Sequence, residues 1–104
     1  MILKERELLV SILLEETTQL SQRIEAARAL AEDGKSDSMG ALLRIACSDD
    51  ENPVLQAAAG ESLARRYARS SDIDQAPLES FSGPAYIGFD GVAAQLLSEG
   101  DASL

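Results

Sequence analysis

The chain contains no histidine and no tryptophan, and it has a single cysteine, Cys47. Without histidine, neither the usual zinc-binding sets nor a histidine-dependent catalytic triad can be built. One cysteine cannot form an intrachain disulfide, and its alignment with apolar positions predicts a place in the core. Aromatic residues make up only 4% of the chain. The core must therefore consist mainly of Leu, Ile, Val and Ala, a composition that favours helices.

Basic residues are also scarce. Nine Lys and Arg residues stand against eighteen Asp and Glu residues, which gives a net charge of −9. Proteins that bind nucleic acids or anionic membranes are ordinarily basic, so neither is an expected partner. The acidity fits a basic protein partner, although an acidic surface can also serve solubility alone.

The sequence has no long uncharged apolar run. Its amino terminus is apolar in places but charged at every position from Lys4 to Glu7. This pattern is typical of neither a signal peptide nor a membrane span of about 20 residues. A length of 104 residues indicates one domain, residues 1–104. We expect a soluble protein of the cytoplasm.

The chain repeats itself at a fixed interval. Residues 18–32 align without a gap on residues 51–65, which is a shift of 33 positions (51 − 18 = 33). A second shift of the same size brings in residues 84–98. The match extends upstream, where three apolar residues fall on three others: Leu9, Val10 and Ile12 on Leu42, Leu43 and Ile45. A period of this length is typical of stacked helical hairpins.

Each unit is predicted to contain an outer helix, a turn and an inner helix. The units span about residues 2–33, 38–69 and 75–98. In the first two units, the outer helices cover about 2–16 and 38–48. The first inner helix covers about 21–32, and the second follows the turn "DDENP" and continues to about residue 69. The third unit is degenerate, with a short outer element near 77–81 and an inner helix over about 90–98. Residues 70–90 are predicted to form a loop, with a turn at Ser82-Gly83-Pro84.

Small residues occupy the middle of the second inner helix. Ala57, Ala58, Ala59 and Gly60 follow one another, although glycine in a helix interior costs about 1 kcal/mol relative to alanine. An inner helix lies between its own partner and the next repeat, so small residues would let the helix backbones approach closely. The run from Ala57 to Gly60 is therefore interpreted as an inter-repeat contact.

The outer-helix leucines, the acidic turn "SDDENP" and the following "VLQAAAGESLA" resemble a HEAT-type repeat in its short bacterial form. The resemblance covers roughly residues 8–69. It implies an all-α fold, a short alpha-solenoid of stacked HEAT-like helical hairpins. Two repeats are clear, and a degenerate third would cap the carboxyl end of the stack.

No group of residues indicates catalysis. The chain lacks a nucleophile paired with a base, a glycine-rich phosphate loop and a metal-binding set. Asp72 and Asp74 could begin a metal loop, but no glycine or terminal glutamate follows at calcium-loop spacing, so a solvated loop is favoured. We expect no enzymatic activity, no metal, no cofactor and no small-molecule substrate.

Acidic residues collect at one edge of the predicted stack. Glu15 and Glu16 close the first outer helix, and Asp49, Asp50 and Glu51 occupy the equivalent edge of the second unit. Acids before a helix also complement its dipole. Stacking would bring both groups onto one ridge, where a basic partner would relieve their mutual repulsion. All five are therefore candidate partner-binding residues, and Asp49, Asp50 and Glu51 are expected to face solvent.

Two interpretations of residues 70–90 stay open. The segment could cap the exposed end of the stack through its large apolar side chains, Leu78, Phe81 and Phe89. It could also form a binding epitope in which Tyr86 is an aromatic anchor beside the acidic Asp72 and Asp74. Both can hold for different residues.

In size, acidity and helical build the chain is similar to immunity proteins of bacterial toxin systems, including contact-dependent growth inhibition. That similarity implies a non-enzymatic protein-binding module that neutralises a cognate basic toxin domain, often a nuclease. The alternative is a HEAT-like scaffold or adaptor subunit of a bacterial enzyme complex. Gene order separates the two, because an immunity gene should directly follow a toxin gene.

Overall fold

A computed structural model describes the backbone of residues 2–102 and the side chains of residues 2–98. Within that range the protein is all-helical, without β-strands, and the predicted fold class is confirmed at this level. None of these helices is long and apolar enough to cross a membrane. The five α-helices are α1 (Leu3–Leu14), α2 (Leu20–Asp33), α3 (Ser36–Ala46), α4 (Pro53–Arg69) and α5 (Gly83–Ala102).

The first four helices lie within two residues of their predicted bounds, because local signals mark their ends. The side chain of Asn52 accepts a hydrogen bond of 2.8 Å from the backbone N–H of Val54, and Pro53 takes the first helical position. Both features are typical of a helix start. Gly34 ends α2 in the left-handed conformation, with φ of 67°, which glycine adopts without strain.

The predicted loop over residues 70–90 is wrong for its last part, because α5 already begins at Gly83. The Ser82 hydroxyl accepts a hydrogen bond of 3.3 Å from the backbone N–H of Ala85. Pro84 is the second residue of the helix, where its missing N–H would have no partner within the helix. A serine cap followed by glycine and proline therefore starts a helix here instead of forming a turn.

Where a short outer element is predicted, near residues 77–81, the structure has a single 3₁₀ turn, Leu78–Ser80. Another expectation changes at the end of α3. Cys47 is exposed, so its predicted place in the core is wrong. The reason is that α3 ends at Ala46 and leaves the following cysteine at the cap, outside the buried stripe of that helix.

The large apolar residues around the start of α5 pack against the core. Leu78 and Phe81 are half-buried against the core, and Phe89 is buried. The rings of Phe81 and Phe89 meet edge to face with centroids 5.7 Å apart, and Tyr67 approaches Phe89 at 6.3 Å. These aromatic contacts join Phe81 and α4, through Tyr67, to Phe89 of α5.

Helix α4 lies at the centre of the fold, in contact with α2, α3 and α5, while α1 packs on α2 and α3. The start of α5 lies beside the end of α3, since the Ser82 N–H donates to the Ala46 carbonyl at 2.8 Å. Towards the other end, Ala68 and Leu97 line one depression. Helices α4 and α5 therefore run in the same direction. The core is aliphatic, and its completely buried large side chains are Leu13, Leu30, Leu42, Leu55 and Leu63.

Glycines allow α4 and α5 to cross at short range. A Cβ atom at Gly60 would collide with the backbone carbonyl of Ala85. A Cβ atom at Gly88 would lie 2.5 Å from the carbonyl oxygen of Ala57. Each glycine thus meets the backbone of the opposite helix, which cannot move aside as a flexible side chain can. The small residues of α4 are explained by a close helix crossing, with α5 as the partner.

We expect Gly60→Ala to destabilise the protein by about 1–3 kcal/mol, because even one methyl group overpacks this crossing. Gly40→Ala is the matched control: it lies inside α3, and its added Cβ would meet nothing within 4 Å. The control should be neutral or stabilising by up to about 1 kcal/mol. Urea unfolding of both variants measures the difference. Equal free energies of unfolding would contradict the close crossing.

Candidate protein-binding surface

The α1–α2 and α3–α4 loops lie next to each other at one end of the molecule. Glu15 caps the end of α1 and Glu16 follows it, both exposed. Asp49 and Asp50 are exposed in the loop after α3. Residues from both loops, Glu16, Asp50 and Glu51, line one shallow depression of about 350 Å³. We call the four exposed carboxylates Glu15, Glu16, Asp49 and Asp50 the acidic ridge.

Glu51 differs from the other acidic residues, and its expected exposure to solvent is wrong. Its carboxylate forms a two-pronged ion pair with the guanidinium of Arg23, with N–O distances of 2.9 and 3.1 Å. The side chain of Glu51 is 15% exposed and that of Arg23 is 5% exposed. The hydrogen bonds from Arg23 lower the pKa of Glu51, and burial opposes this effect. Glu51 therefore forms a structural contact inside the protein.

The same arginine joins three parts of the chain. Besides binding Glu51, Arg23 donates from Nε to the backbone carbonyl of Leu13 at 2.9 Å. It thereby connects the end of α1, the start of α2 and the α3–α4 loop. Gln56 holds that loop from the other side, since its amide donates to the backbone carbonyl of Ser48. Buried polar contacts thus fix the position of the acidic ridge from beneath.

Within residues 2–98 the ridge carboxylates have no cationic partner of their own. Among the side chains of residues 2–98, the ion pairs within 4.0 Å are Arg23–Glu51 and Arg6–Asp33, and neither includes a ridge residue. Glu15 accepts hydrogen bonds from the backbone and hydroxyl of Thr17. Negative charge is therefore concentrated and uncompensated at this end, which favours contact with a basic surface.

The other candidate residues divide between the two ends of the molecule. Asp72 and Asp74 are exposed where α4 has ended, and α4 separates them from the ridge by about 25 Å, at 1.5 Å per residue over its 17 residues. They do not join the ridge. Tyr86 lies on α5 and not on a loop, so the loop assignment is wrong for it; it is 46% exposed. It lies one turn after Ser82, at the ridge end.

A second buried ion pair lies at the end opposite the ridge. Arg6 Nε is 2.6 Å from the carboxylate of Asp33, which also accepts a hydrogen bond of 2.7 Å from Ser38. The hydrogen bond from Arg6 holds the pKa of Asp33 at about 2, below its usual 3.8. This pair joins α1 to the connection between α2 and α3. Sequence reasoning missed both ion pairs, since their partners lie 27 and 28 residues apart.

No protein family, curated protein or solved structure matches the chain. Over the part of the chain that the structure describes, no three Cys, Asp or Glu side chains are grouped so that they could hold a metal ion. The functional interpretation therefore depends on the burial and charge of the residues themselves, and the acidic ridge is the feature that these single out.

We expect Glu51→Gln to destabilise the protein by about 2–3 kcal/mol, because the buried Arg23 would lose its charged partner. Asp50→Asn is the matched control on the same loop, since Asp50 is exposed and forms no ion pair with the side chains of residues 2–98. It should change the free energy of unfolding by less than about 0.5 kcal/mol. Urea unfolding checks both. A Glu51 variant as stable as the control would show that the ion pair does not hold the loops.

We also expect a loss of stability on acidification that depends on Asp33. Its carboxyl has a lower pKa in the folded state, so the stabilisation is complete above the unfolded value of 3.8 and disappears as pH falls towards about 2. Asp33→Asn should therefore be less stable than the parent at neutral pH, and the difference should shrink across this window. Unfolding curves from neutral pH to about 2 measure it. A constant difference would contradict the assignment.

Proposed function

We propose that the chain is a non-enzymatic immunity protein that binds and neutralises a cognate toxin domain with a basic surface, such as a nuclease. The observation that carries the proposal is the acidic ridge, whose four exposed carboxylates have no cationic partner within residues 2–98. The chain as a whole has a net charge of −9. Both properties favour a cationic protein partner.

The proposed scaffold is a short HEAT-like α-solenoid, with α1–α2 and α3–α4 as stacked hairpins and α5 as the inner helix of a degenerate repeat. Residues 33 positions apart support it, because they share burial. Arg23 and Gln56 (56 − 23 = 33) each donate a hydrogen bond to a carbonyl near the end of the preceding helix. The equivalent small and apolar positions are Ala26, Ala59 and Val92; Ala27, Gly60 and Ala93; and Leu30 and Leu63, all buried.

The ridge would act mainly through electrostatics. Its carboxylates repel one another, and Lys or Arg side chains of a partner would remove that repulsion. A nuclease holds the phosphates of its substrate with cationic side chains, so an acidic surface that covers them would compete with nucleic acid. Complementary charge also speeds association, because it steers the two molecules towards each other.

Tyr86 would supply an apolar contact beside the charged one. It lies near the start of α5, at the same end as the ridge, and nearly half of its side chain is exposed. Tyrosine at the centre of an interface often contributes a large share of the binding energy. Asp72 and Asp74 lie beyond the far end of α4, so they are left outside the proposed surface.

We expect the triple variant Glu16→Lys, Asp49→Lys, Asp50→Lys to associate more slowly with a basic toxin domain while staying folded. The probe is the carboxyl-terminal domain of the protein encoded immediately upstream, measured by surface plasmon resonance. The effect should shrink at high salt, because the Debye length falls from about 10 Å at 0.1 M to about 3 Å at 1 M. Glu51 is left unchanged, since its reversal would disturb the fold.

The matched control is a triple reversal of exposed acids elsewhere, Glu5→Lys, Glu25→Lys and Asp37→Lys, with the same change in net charge. It should slow association less than the ridge variant. In contrast, Tyr86→Ala should act mainly on dissociation and depend little on salt. Equal effects of the two triple variants would remove the ridge from the interface. If the upstream product neither binds nor becomes harmless to cells on co-expression, the immunity role is wrong.

A further inference from the structure

Three arginines, Arg28, Arg65 and Arg69, line one pocket between α2 and α4. The pocket has a volume of about 420 Å³ and is more enclosed than the depression at the acidic ridge. Pockets that bind small molecules commonly measure roughly 300–1,000 Å³. Three of the nine basic residues of an acidic chain therefore lie around a single concave site.

The guanidinium groups at this pocket have hydrogen-bond donors available for a ligand. All three arginines are exposed, and none forms an ion pair within 4.0 Å with the side chains of residues 2–98. Arg69 donates one long hydrogen bond of 3.4 Å to the backbone carbonyl of Glu32. Each guanidinium carries five N–H donors. These arginines therefore differ from Arg6 and Arg23, whose charges are paired with carboxylates inside the protein.

Two carboxylates also line the pocket and limit its charge. Glu32 lies one turn after Arg28 on α2, and Glu61 lies one turn before Arg65 on α4. Three guanidiniums and two carboxylates give a local charge of +1 (3 − 2 = 1), in a chain whose net charge is −9. The pocket thus suits one anionic group, while the acidity of the rest of the chain repels a polyanion such as nucleic acid.

We propose that this pocket binds the phosphate group of a small molecule. Arg28 belongs to α2, and Arg65 and Arg69 lie one turn apart on α4, so the donors come from two helices and are not confined to one plane. The oxygens of a phosphate are arranged as a tetrahedron and can accept from several guanidiniums, whereas a carboxylate has two oxygens in one plane. Ser62, which is 3% exposed, lines the same pocket and adds a hydroxyl group to its wall.

The pocket and the acidic ridge lie on different parts of the molecule. Arg65 and Arg69 belong to the last turns of α4, whereas the ridge lies near the start of that helix. An anionic small molecule and a cationic protein are therefore drawn to separate sites. Phosphate binding does not depend on the proposed toxin partner, and it can be tested on the chain alone.

Titration of the intact, isotopically labelled chain with inorganic phosphate, followed by NMR at constant ionic strength, tests the proposal. Amide signals of residues 28–32 and 61–69 should shift and saturate, with a dissociation constant on the order of 1 mM. Acetate and a short single-stranded DNA are the comparison ligands, and both should bind more weakly than phosphate. Shifts that do not saturate, or that are centred on other residues, would overturn the proposal.

Arginine variants test which guanidiniums hold the phosphate. Arg28→Gln and Arg65→Gln should each weaken phosphate binding about tenfold, because each removes charge-assisted hydrogen bonds. Arg44→Gln is the matched control, since it removes an exposed arginine of α3 that does not line the pocket. It should leave the dissociation constant unchanged. All three variants should keep the melting temperature of the parent, because the replaced side chains are exposed.

A carboxylate variant should act in the opposite direction. Glu61→Gln should strengthen phosphate binding about twofold or more, because it removes a negative charge beside the bound group. Glu5→Gln is its control, an exposed acid of α1 outside the pocket, and should have a smaller effect. Equal losses from Arg65→Gln and Arg44→Gln, weaker binding by Glu61→Gln, or tighter binding of acetate or DNA than of phosphate would each contradict a phosphate site.

Discussion

The close crossing of α4 and α5 is the contact on which the rest of the fold depends. Two glycines, Gly60 and Gly88, each meet a backbone carbonyl of the opposite helix, so the crossing permits no side chain at either position. Helix α4 in turn packs on α2 and α3. Helix α1 packs on α2 and α3 and has no extensive contact with α4. The small side chains in the middle of α4 therefore allow one helix to pack on three others.

This arrangement separates the charges that serve the fold from those that face outward. Arg23 pairs with Glu51 below the acidic ridge, and Arg6 pairs with Asp33 at the opposite end. Breaking a buried ion pair leaves an uncompensated charge inside the protein, so such pairs hold loops in one position. The exposed carboxylates of the ridge contribute little to folding, because they repel one another. Their concentration on a surface that is fixed from beneath is the observation on which the proposed basic partner rests.

Periodicity predicted the first four helices, because apolar spacing and helix caps are local signals. The start of α5 was missed, since Ser82, Gly83 and Pro84 are typical of a turn as well as of a capped helix start. The acidic ridge was predicted from charges that recur at equivalent loops. The structural role of Glu51 could not be predicted, because its partner Arg23 is distant in sequence and only packing brings the two side chains together. An arginine among the small residues of an inner helix is the signal that could have indicated a buried pair.

The central claim is that a basic partner binds the acidic ridge. Amide hydrogen exchange of the chain, alone and in complex with the basic domain encoded upstream, tests it most directly. The account predicts slower exchange in the complex at residues 15–19 and 48–52, the two loops that carry the ridge. Slower exchange confined to the connection between α2 and α3, or to α5, would contradict it.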